Sequence, residues 1–390
     1  MIKKTMNAAL NQKSVVIIAG ETSGDLHGAQ LVRAMKKKDP SLFFSGIGGP
    51  ELKTAGVEIL MNAAELSVVG ITEVFSKMSK VVKGISSVKN VLSERRPGLI
   101  ILIDFPDFNL HIATIAKKHG VPVLYYISPQ IWAWRSGRIR KIEKNVDHMA
   151  VILPFEKDFY RSHNVPATFV GHPLLDSYSP LPDDPLKDAT DSIPVVGLLP
   201  GSRYSEIERN LPFMLAAASV LQNRFKNICF MISIAPSISK EKIESFVKPY
   251  KKTCCIELIS GSVVEIFKKS RLIVAASGTV TLETAIYGVP MVIMYKISPI
   301  SYMLGQALVN VEHIGLVNII ANERIVPELI QGDATPAKIA ETVGDILYDP
   351  KELARIKEKL KSVKAFLGSA GAAEKTADIG LALLKAGDSS

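Results

Sequence analysis

The chain has 390 residues, 47% hydrophobic and 22% charged, which is more than one comfortable core and points to two globular domains. Its apolar runs are broken by Glu, Pro or Gly before about 18 residues, so no transmembrane helix is expected, and residues 1–13 read as a loose tail rather than a signal peptide. The net charge of +9 implies anionic partners: nucleic acid, acidic lipid or a phosphorylated substrate. Cys229, Cys254 and Cys255 are odd in number and lack metal-ligand spacing, so reduced core thiols in a cytoplasmic protein are expected.

Short apolar runs ending in Gly, Ser or Asp turns alternate with amphipathic stretches, the pattern of a parallel α/β architecture. The first strand, Ser14–Ala19, leads through Gly20-Glu21-Thr22-Ser23-Gly24-Asp25 into a helix over Gly24–Lys38. That turn lacks G-x-G-x-x-G spacing, which argues against a dinucleotide-dependent dehydrogenase. Ser23, Gly24 and Asp25 follow a strand's C-terminal end, beside the expected crevice, and Ser23 or Asp25 reads either as a substrate contact or as a helix cap. Leu42–Ile47 is the next strand, and the Gly48-Gly49-Pro50 turn after it reads as structural or as a point of close substrate approach.

Residues 71–92 place apolar side chains at helical spacing, with Lys77, Lys80, Lys83 and Lys89 on or beside the polar face. The apolar face suits a core or an anionic membrane, in which case Val74, Phe75, Met78, Val81 and Val82 would make the contact. Leu99–Ile103 reads as a buried strand closed by Asp104, an acid that must find a partner or a task and that the strand-end rule assigns to the active cleft. Asp107 has a simpler reading as the cap of a helix starting near Phe108 and running to Lys118. After the strand Val121–Ile127, the segment SPQIWAWR contains Trp132, Trp134 and Arg135, with Arg138, Arg140 and Lys141 behind it. Rings beside cations suit a sugar, nucleic acid or lipid phosphate, and an ordered loop with a solvated basic helix is the plainer alternative. No RNA-binding or zinc pattern accompanies them, so no nucleic-acid partner is expected.

Met149–Leu153 closes the first half, and the Pro- and Asp-rich stretch Ser177–Pro194 reads as a linker between domains at 1–180 and 181–364. The second half repeats the strand pattern at Val195–Leu199, Ile228–Ile234, Cys255–Leu258, Leu272–Ala275 and Met291–Tyr295. A helix is expected around Pro350–Leu384, with residues 365–390 able to pack back on the first domain. Arg203 lies just before a helix that Ser205-x-x-Glu208 would cap, where it suits a diphosphate or a surface salt bridge with Glu206 or Glu208. Ser277, Gly278 and Thr279 separate an apolar strand from a helix bearing Glu283. Backbone N–H groups at that helix start favour a phosphate, and the carboxylate suits ribose hydroxyls, so the segment reads as a nucleotide site.

In order along the chain, AGETSGD (Ala19–Asp25), GGP (Gly48–Pro50), IDFPDFN (Ile103–Asn109), SPQIWAWR (Ser128–Arg135), GHPLLD (Gly171–Asp176), LPGSR (Leu199–Arg203), SGTVTLE (Ser277–Glu283), Asn318 and VPELIQ (Val326–Gln331) resemble the lipid-A-disaccharide synthase family. The resemblance implies a GT-B fold, two doubly wound Rossmann-like domains facing an inter-domain cleft. It implies inverting transfer of 2,3-diacylglucosamine from UDP to the 6-hydroxyl of 2,3-diacylglucosamine 1-phosphate, giving a β-1,6-linked disaccharide and UDP. Asp104 then resembles the family's base, and Arg203 with Ser277, Gly278 and Thr279 would receive the diphosphate. Glu283 would hold the ribose, and Asn318 would be a further donor contact. No cofactor or metal is implied, and a homodimer is left open. The acylated substrates would put the enzyme at the anionic cytoplasmic face of the inner membrane. Two rivals fit the residues less fully: a UDP-N-acetylglucosamine 2-epimerase and a non-catalytic nucleotide-sugar-binding protein.

Overall fold

The computed structural model describes residues 13–66, 74–132, 136–178, 193–296 and 312–387. The chain divides into two compact units, Met1–Asp176 with Leu367–Ser390, and Ser177–Phe366. In the first, the order is β1 (Ser14–Ala19), α1 (Thr22–Lys38), β2 (Phe43–Gly48), α2 (Pro50–Thr54), β3 (Glu58–Asn62), α3 (Val74–Glu94), β4 (Leu99–Ile103), α4 (Pro106–Lys118), β5 (Val123–Tyr126), α5 (Ile139–Asn145), β6 (His148–Val151), α6 (Glu156–Arg161) and β7 (Ala167–Phe169). The strands form one parallel sheet in the order β3-β2-β1-β4-β5-β6-β7. The chain builds outward from β1 to β3, returns to the other side of β1 and continues outward to β7. The reversal between β1 and β4 is the topological switch point, where an open α/β sheet leaves a crevice at its strands' C-terminal ends.

The apolar runs are continuous because helices cover both faces of the sheet. Side chains alternate across each strand, so Val16 and Ile18 join Ile100 and Leu102 on the face packed by α3 and α4. Val15, Ile17 and Ala19 join Leu99, Ile101 and Ile103 on the opposite face, with α1.

The second unit contains β8 (Val195–Leu199), α7 (Tyr204–Arg224), β9 (Cys229–Ile234), α8 (Lys240–Val247), β10 (Cys255–Ser260), α9 (Val264–Lys269), β11 (Leu272–Ala276), α10 (Thr279–Ile286), β12 (Met291–Tyr295), α11 (Leu316–Ala321), β13 (Glu328–Ile330), α12 (Pro336–Leu347) and α13 (Pro350–Phe366). Its parallel sheet runs β10-β9-β8-β11-β12-β13, so the switch point falls between β8 and β11.

The C-terminal region is two helices, α13 and α14 (Ala372–Gly387), rather than the single one expected. Gly368 and Gly371 break it with φ of +86° and +94°, a region that costs glycine nothing. Helix α13 stays in the second unit, whereas Ala372, Ala373, Ala377 and Leu384 of α14 complete the core of the first beside α1. Asp176 Oδ1 caps α14 by accepting from Gly371 N at 2.6 Å and Ala372 N at 3.4 Å, and His172 N donates to Leu367 O at 2.9 Å. The proposed linker falls largely on residues 179–192, outside the described residues.

Two expectations need correction. Cys229 and Cys255 are not reduced core thiols: they open β9 and β10 as register partners and are joined by a disulfide, leaving Cys254 as the buried free thiol. Asp25 is not a substrate contact. Its side chain is buried and accepts from Gly49 N at 2.7 Å, Glu51 N at 2.9 Å and Leu52 N at 3.2 Å, so it caps α2 from the first turn of α1. A Cβ on Gly49 would lie 2.6 Å from Asp25 Oδ2, which makes the GGP turn the seat of this cap. Asp25→Ala strands three donors at the start of α2, the Leu52 N–H among them buried, and should lower unfolding free energy by about 2–3 kcal/mol. Urea unfolding followed by circular dichroism measures this; a change below about 0.5 kcal/mol, the scale of an ordinary surface substitution, would refute the cap's importance.

Candidate active site

At the first switch point, Ala19 pairs with Ile103 across β1 and β4, so the turns at Gly20-Glu21 and Asp104-Phe105 emerge side by side. Asp104 and Phe105 both have left-handed backbones, with φ of +45° and +49°, a conformation that costs a non-glycine residue about 1 kcal/mol or more. Buried side chains hold it there. Asn109 Nδ2 donates to Ile103 O at 3.1 Å and Asp104 O at 2.7 Å, while Tyr125 OH donates to Asp104 O at 2.6 Å. The Phe105 ring folds over Gly20, where a Cβ would stand 2.2 Å from Phe105 Cγ, so only glycine fits. The Asp104 carboxyl is pushed up to about 6, mainly by burial and then by the nearby Glu21 carboxylate, against the opposing Phe105 N–H. An acid of that strength is ionised at neutral pH and still basic enough to take a proton from a hydroxyl.

Asp107 is not the cap expected. Helix α4 starts earlier, with Pro106 in its first turn, and Asp107 is exposed and paired with Arg138. Ser23 is exposed in the first turn of α1, and Gly24 is buried, its Cβ position 3.5 Å from Ala19 and Ile103, which lets α1 lie close on the sheet. Trp132 is half-buried: its Nε1 donates to Glu156 Oε1 at 3.1 Å, and its ring stands edge-on to Phe155. Trp134 and Arg135 lie outside the described residues, as do the side chains of Val74, Phe75 and Met78 in α3. Val81 is partly buried against the core, whereas Val82 is 59% exposed next to exposed Lys83.

At the second switch point, β8 ends at Leu199 and β11 at Ala276. Arg203 is the N-cap residue of α7, and Glu206 Oε2 accepts from Ser202 N at 3.0 Å and Arg203 N at 3.2 Å. The cap therefore sits earlier than the Ser205-x-x-Glu208 pattern suggested, because Ser205 is already helical. The Arg203 side chain is 68% exposed, and Glu206 Oε1 stands 3.7 Å from it. Such an exposed pair is worth at most about 1 kcal/mol, little against a diphosphate. Across the switch point, Gly278 and Thr279 are exposed at the start of α10, and Ser277 is half-buried. Open space surrounds the Cβ position of Gly278, and Thr281 turns its hydroxyl back to Gly278 O at 2.8 Å. Glu283 is half-buried in the same helix, and burial raises its carboxyl pKa.

Asn318 is not placed to touch a ligand. It is fully buried: Nδ2 donates to Val326 O at 2.9 Å and Glu328 Oε1 at 2.7 Å, while Oδ1 accepts from Ile325 N and Val326 N. Glu328 in turn accepts from Ile314 N and Gly315 N, so the VPELIQ segment and Asn318 tie β13 to the start of α11. Sequence reasoning missed Glu21, Asn109, Tyr125 and Glu156. Asn109 and Tyr125 lie inside quoted motifs, but only the left-handed turn shows what they support.

Comparison with known proteins identifies the family and the fold. The family model described as lipid-A-disaccharide synthetase matches residues 15–379. Two proteins named lipid-A-disaccharide synthase are similar: one from Syntrophus aciditrophicus, 45% identical over 97% of this chain and 100% of its own, and one from Geobacter metallireducens, 44% identical over 95% and 97%. Among solved structures, MurG of Acinetobacter baumannii matches with a TM-score of 0.60 at 14% identity, covering 95% of this chain and 99% of its own. An assigned UDP-N-acetylglucosamine 2-epimerase from Listeria monocytogenes matches with a TM-score of 0.63 at 12% identity, covering 96% of each chain. At such identities the structures speak for the fold alone, which is GT-B. The sequence matches speak for the family: this chain belongs to the lipid-A-disaccharide synthases and is a glycosyltransferase of lipid A biosynthesis.

Proposed function

We propose that Asp104 and Arg203 carry the two halves of the family's inverting transfer on this chain. One observation supports this above the others: each unit's switch point presents one charge type, a half-buried acid in a left-handed turn in the first and an exposed guanidinium with a helix start in the second. The 6-hydroxyl oxygen of 2,3-diacylglucosamine 1-phosphate attacks C1 of the UDP-linked 2,3-diacylglucosamine. Its proton passes to Asp104 as the new C1–O bond forms. The bond from C1 to the diphosphate oxygen breaks on the opposite side, inverting the anomeric centre, and UDP leaves with the electron pair. Arg203 and the N–H groups at Gly278 and Thr279 meet the charge gathering on that oxygen. Glu283 accepts from the ribose hydroxyls.

Arg203→Ala should lower kcat by about 10²–10³-fold, and Asp104→Asn by about 10²–10⁴-fold, with unfolding midpoints unchanged. Steady-state kinetics on the acylated substrates tests both, and near-normal turnover in either variant refutes that residue's role. Asp104 must be ionised to act, so kcat/KM should rise with pH through about 6 and then level off. Glu21→Gln removes a neighbouring negative charge, so it should move that acid limb to lower pH; an unmoved or opposite limb contradicts the coupling. The positive charge facing the diphosphate comes from the chain itself, so turnover should persist in EDTA.

No helix among the described residues is long and apolar enough to cross a membrane. The exposed Val82 on α3, beside Lys83, supports peripheral attachment to an anionic bilayer at the cytoplasmic face of the inner membrane. Replacing Phe75, Met78 and Val82 by Ser should weaken sedimentation with anionic vesicles without changing the unfolding midpoint. Equal sedimentation of variant and parent would remove α3 as the contact.

A further inference from the structure

Glu156 is a buried acid that the mechanism above leaves unused. It opens α6 and is 1% exposed. One carboxylate oxygen accepts from Trp132 Nε1 at 3.1 Å and the other from Leu153 N at 3.0 Å. Burial pushes its carboxyl up to about 7, against the opposing pull of these N–H groups. An apolar residue would fill the same space without that desolvation cost, so the acid's contribution lies in the two N–H groups it holds, Leu153 N in its own turn and the Trp132 indole outside it.

The segment held by that grip is itself strained and adjoins the reacting acid. It leaves β5 at Ile127, a β-branched residue with φ of +62°, which such side chains rarely adopt. β5 is the neighbour of β4, Asp104 N donates to Tyr126 O at 3.2 Å, and Tyr125 OH holds Asp104 O. Helix α6 anchors the segment at two points. Tyr160 OH shares a 2.6 Å hydrogen bond with Ser128 Oγ, and Glu156 holds Trp132 four residues further along. Phe155 packs edge-on against the Trp132 ring with centroids 4.8 Å apart, which fixes the plane of the indole. Strain held by several independent contacts marks a segment whose shape serves the site.

We propose that Glu156 is the positioning residue for Trp132, fixing the half-buried indole as an apolar wall for the sugar ring of the acylated aminosugar-phosphate acceptor. The inference rests on the transfer reaction proposed above. Phe155 and Glu156 set the ring's plane and depth, and the acceptor meets the indole.

The test separates acceptor from donor. Trp132→Phe keeps an aromatic ring but loses the N–H, and Glu156→Gln keeps one carbonyl oxygen as acceptor in a neutral side chain. Trp132→Phe and Glu156→Ala should each raise the acceptor KM about tenfold, the scale of a lost hydrogen bond to a charged group, with the donor KM within about twofold of the parent. Glu156→Gln should recover part of the loss, and the double variant Glu156→Ala/Trp132→Phe should be no worse than the poorer single one, because the two act through one bond. Thermal unfolding accompanies each measurement, and Trp132→Phe with Glu156→Gln carries the test if Glu156→Ala does not fold. A folded Trp132→Phe enzyme with an unchanged acceptor KM, or with both KM values raised together, overturns the positioning role while leaving the reaction intact. A parent enzyme that forms no disaccharide from the two acylated substrates overturns the reaction itself.

Discussion

The left-handed turn at Asp104 and Phe105 is the constraint on which the catalytic reading depends. A strand that simply continued would send the acid's side chain on along the sheet edge. Turning the backbone at the end of β4 instead sets the carboxyl next to the β1 turn, where burial and Glu21 raise its proton affinity. The conformation is unfavourable for both residues, and the surrounding structure supplies the compensation. Asn109 and Tyr125 satisfy carbonyl groups that the turn exposes, and Gly20 makes room for the displaced Phe105 ring. Removing any one of these supports would affect the proposed base without touching it.

In the proposed reaction the second unit meets a different electrostatic demand with the same topology. A leaving diphosphate needs positive charge that is already oriented, because reorienting dipoles during the reaction would add to the barrier. The β8 turn supplies a long, exposed guanidinium, while the β11 turn supplies a glycine-opened helix start. The capping of α7 by Glu206 also matters here. By accepting from the backbone of Ser202 and Arg203, Glu206 satisfies that turn internally and fixes where the Arg203 side chain departs.

Much of this architecture was legible in the sequence, for a physical reason. Strands covered on both faces must be apolar throughout, so Leu99–Ile103 and Leu272–Ala276 stand out against amphipathic helices. The edge strands β3, β7 and β13 escaped that reading because short, partly exposed strands carry no such run; β3 reads Glu58-Ile-Leu-Met-Asn62 with only Met61 buried. The C-terminal break escaped it because two glycines within an amphipathic stretch do not show whether a helix continues, and their positive φ is a property of the fold. The disulfide escaped it for a related reason. Cys229 and Cys255 are distant in sequence and become neighbours only through the β9–β10 register.

The site was legible in a more selective way. Residue type singled out Asp104, Arg203 and the Ser277–Glu283 turn as candidates, because strand ends bearing charge or free N–H groups have few structural uses, and the fold sets each of them at a switch point. Residue type failed for Asp25 and Asn318, whose side chains are equally polar but turn inward to satisfy backbone groups of a neighbouring turn. Glu156 and Glu328 do the same work from outside the set of expected site residues. A parallel sheet concentrates its irregular backbone at the strands' C-terminal ends, where the ligand must also bind. Polar side chains are needed there twice: once to meet the substrate, and once to pair the N–H and C=O groups that the turns leave without a ladder partner. Sequence spacing brings both kinds to the same edge, and only the direction of each side chain separates them.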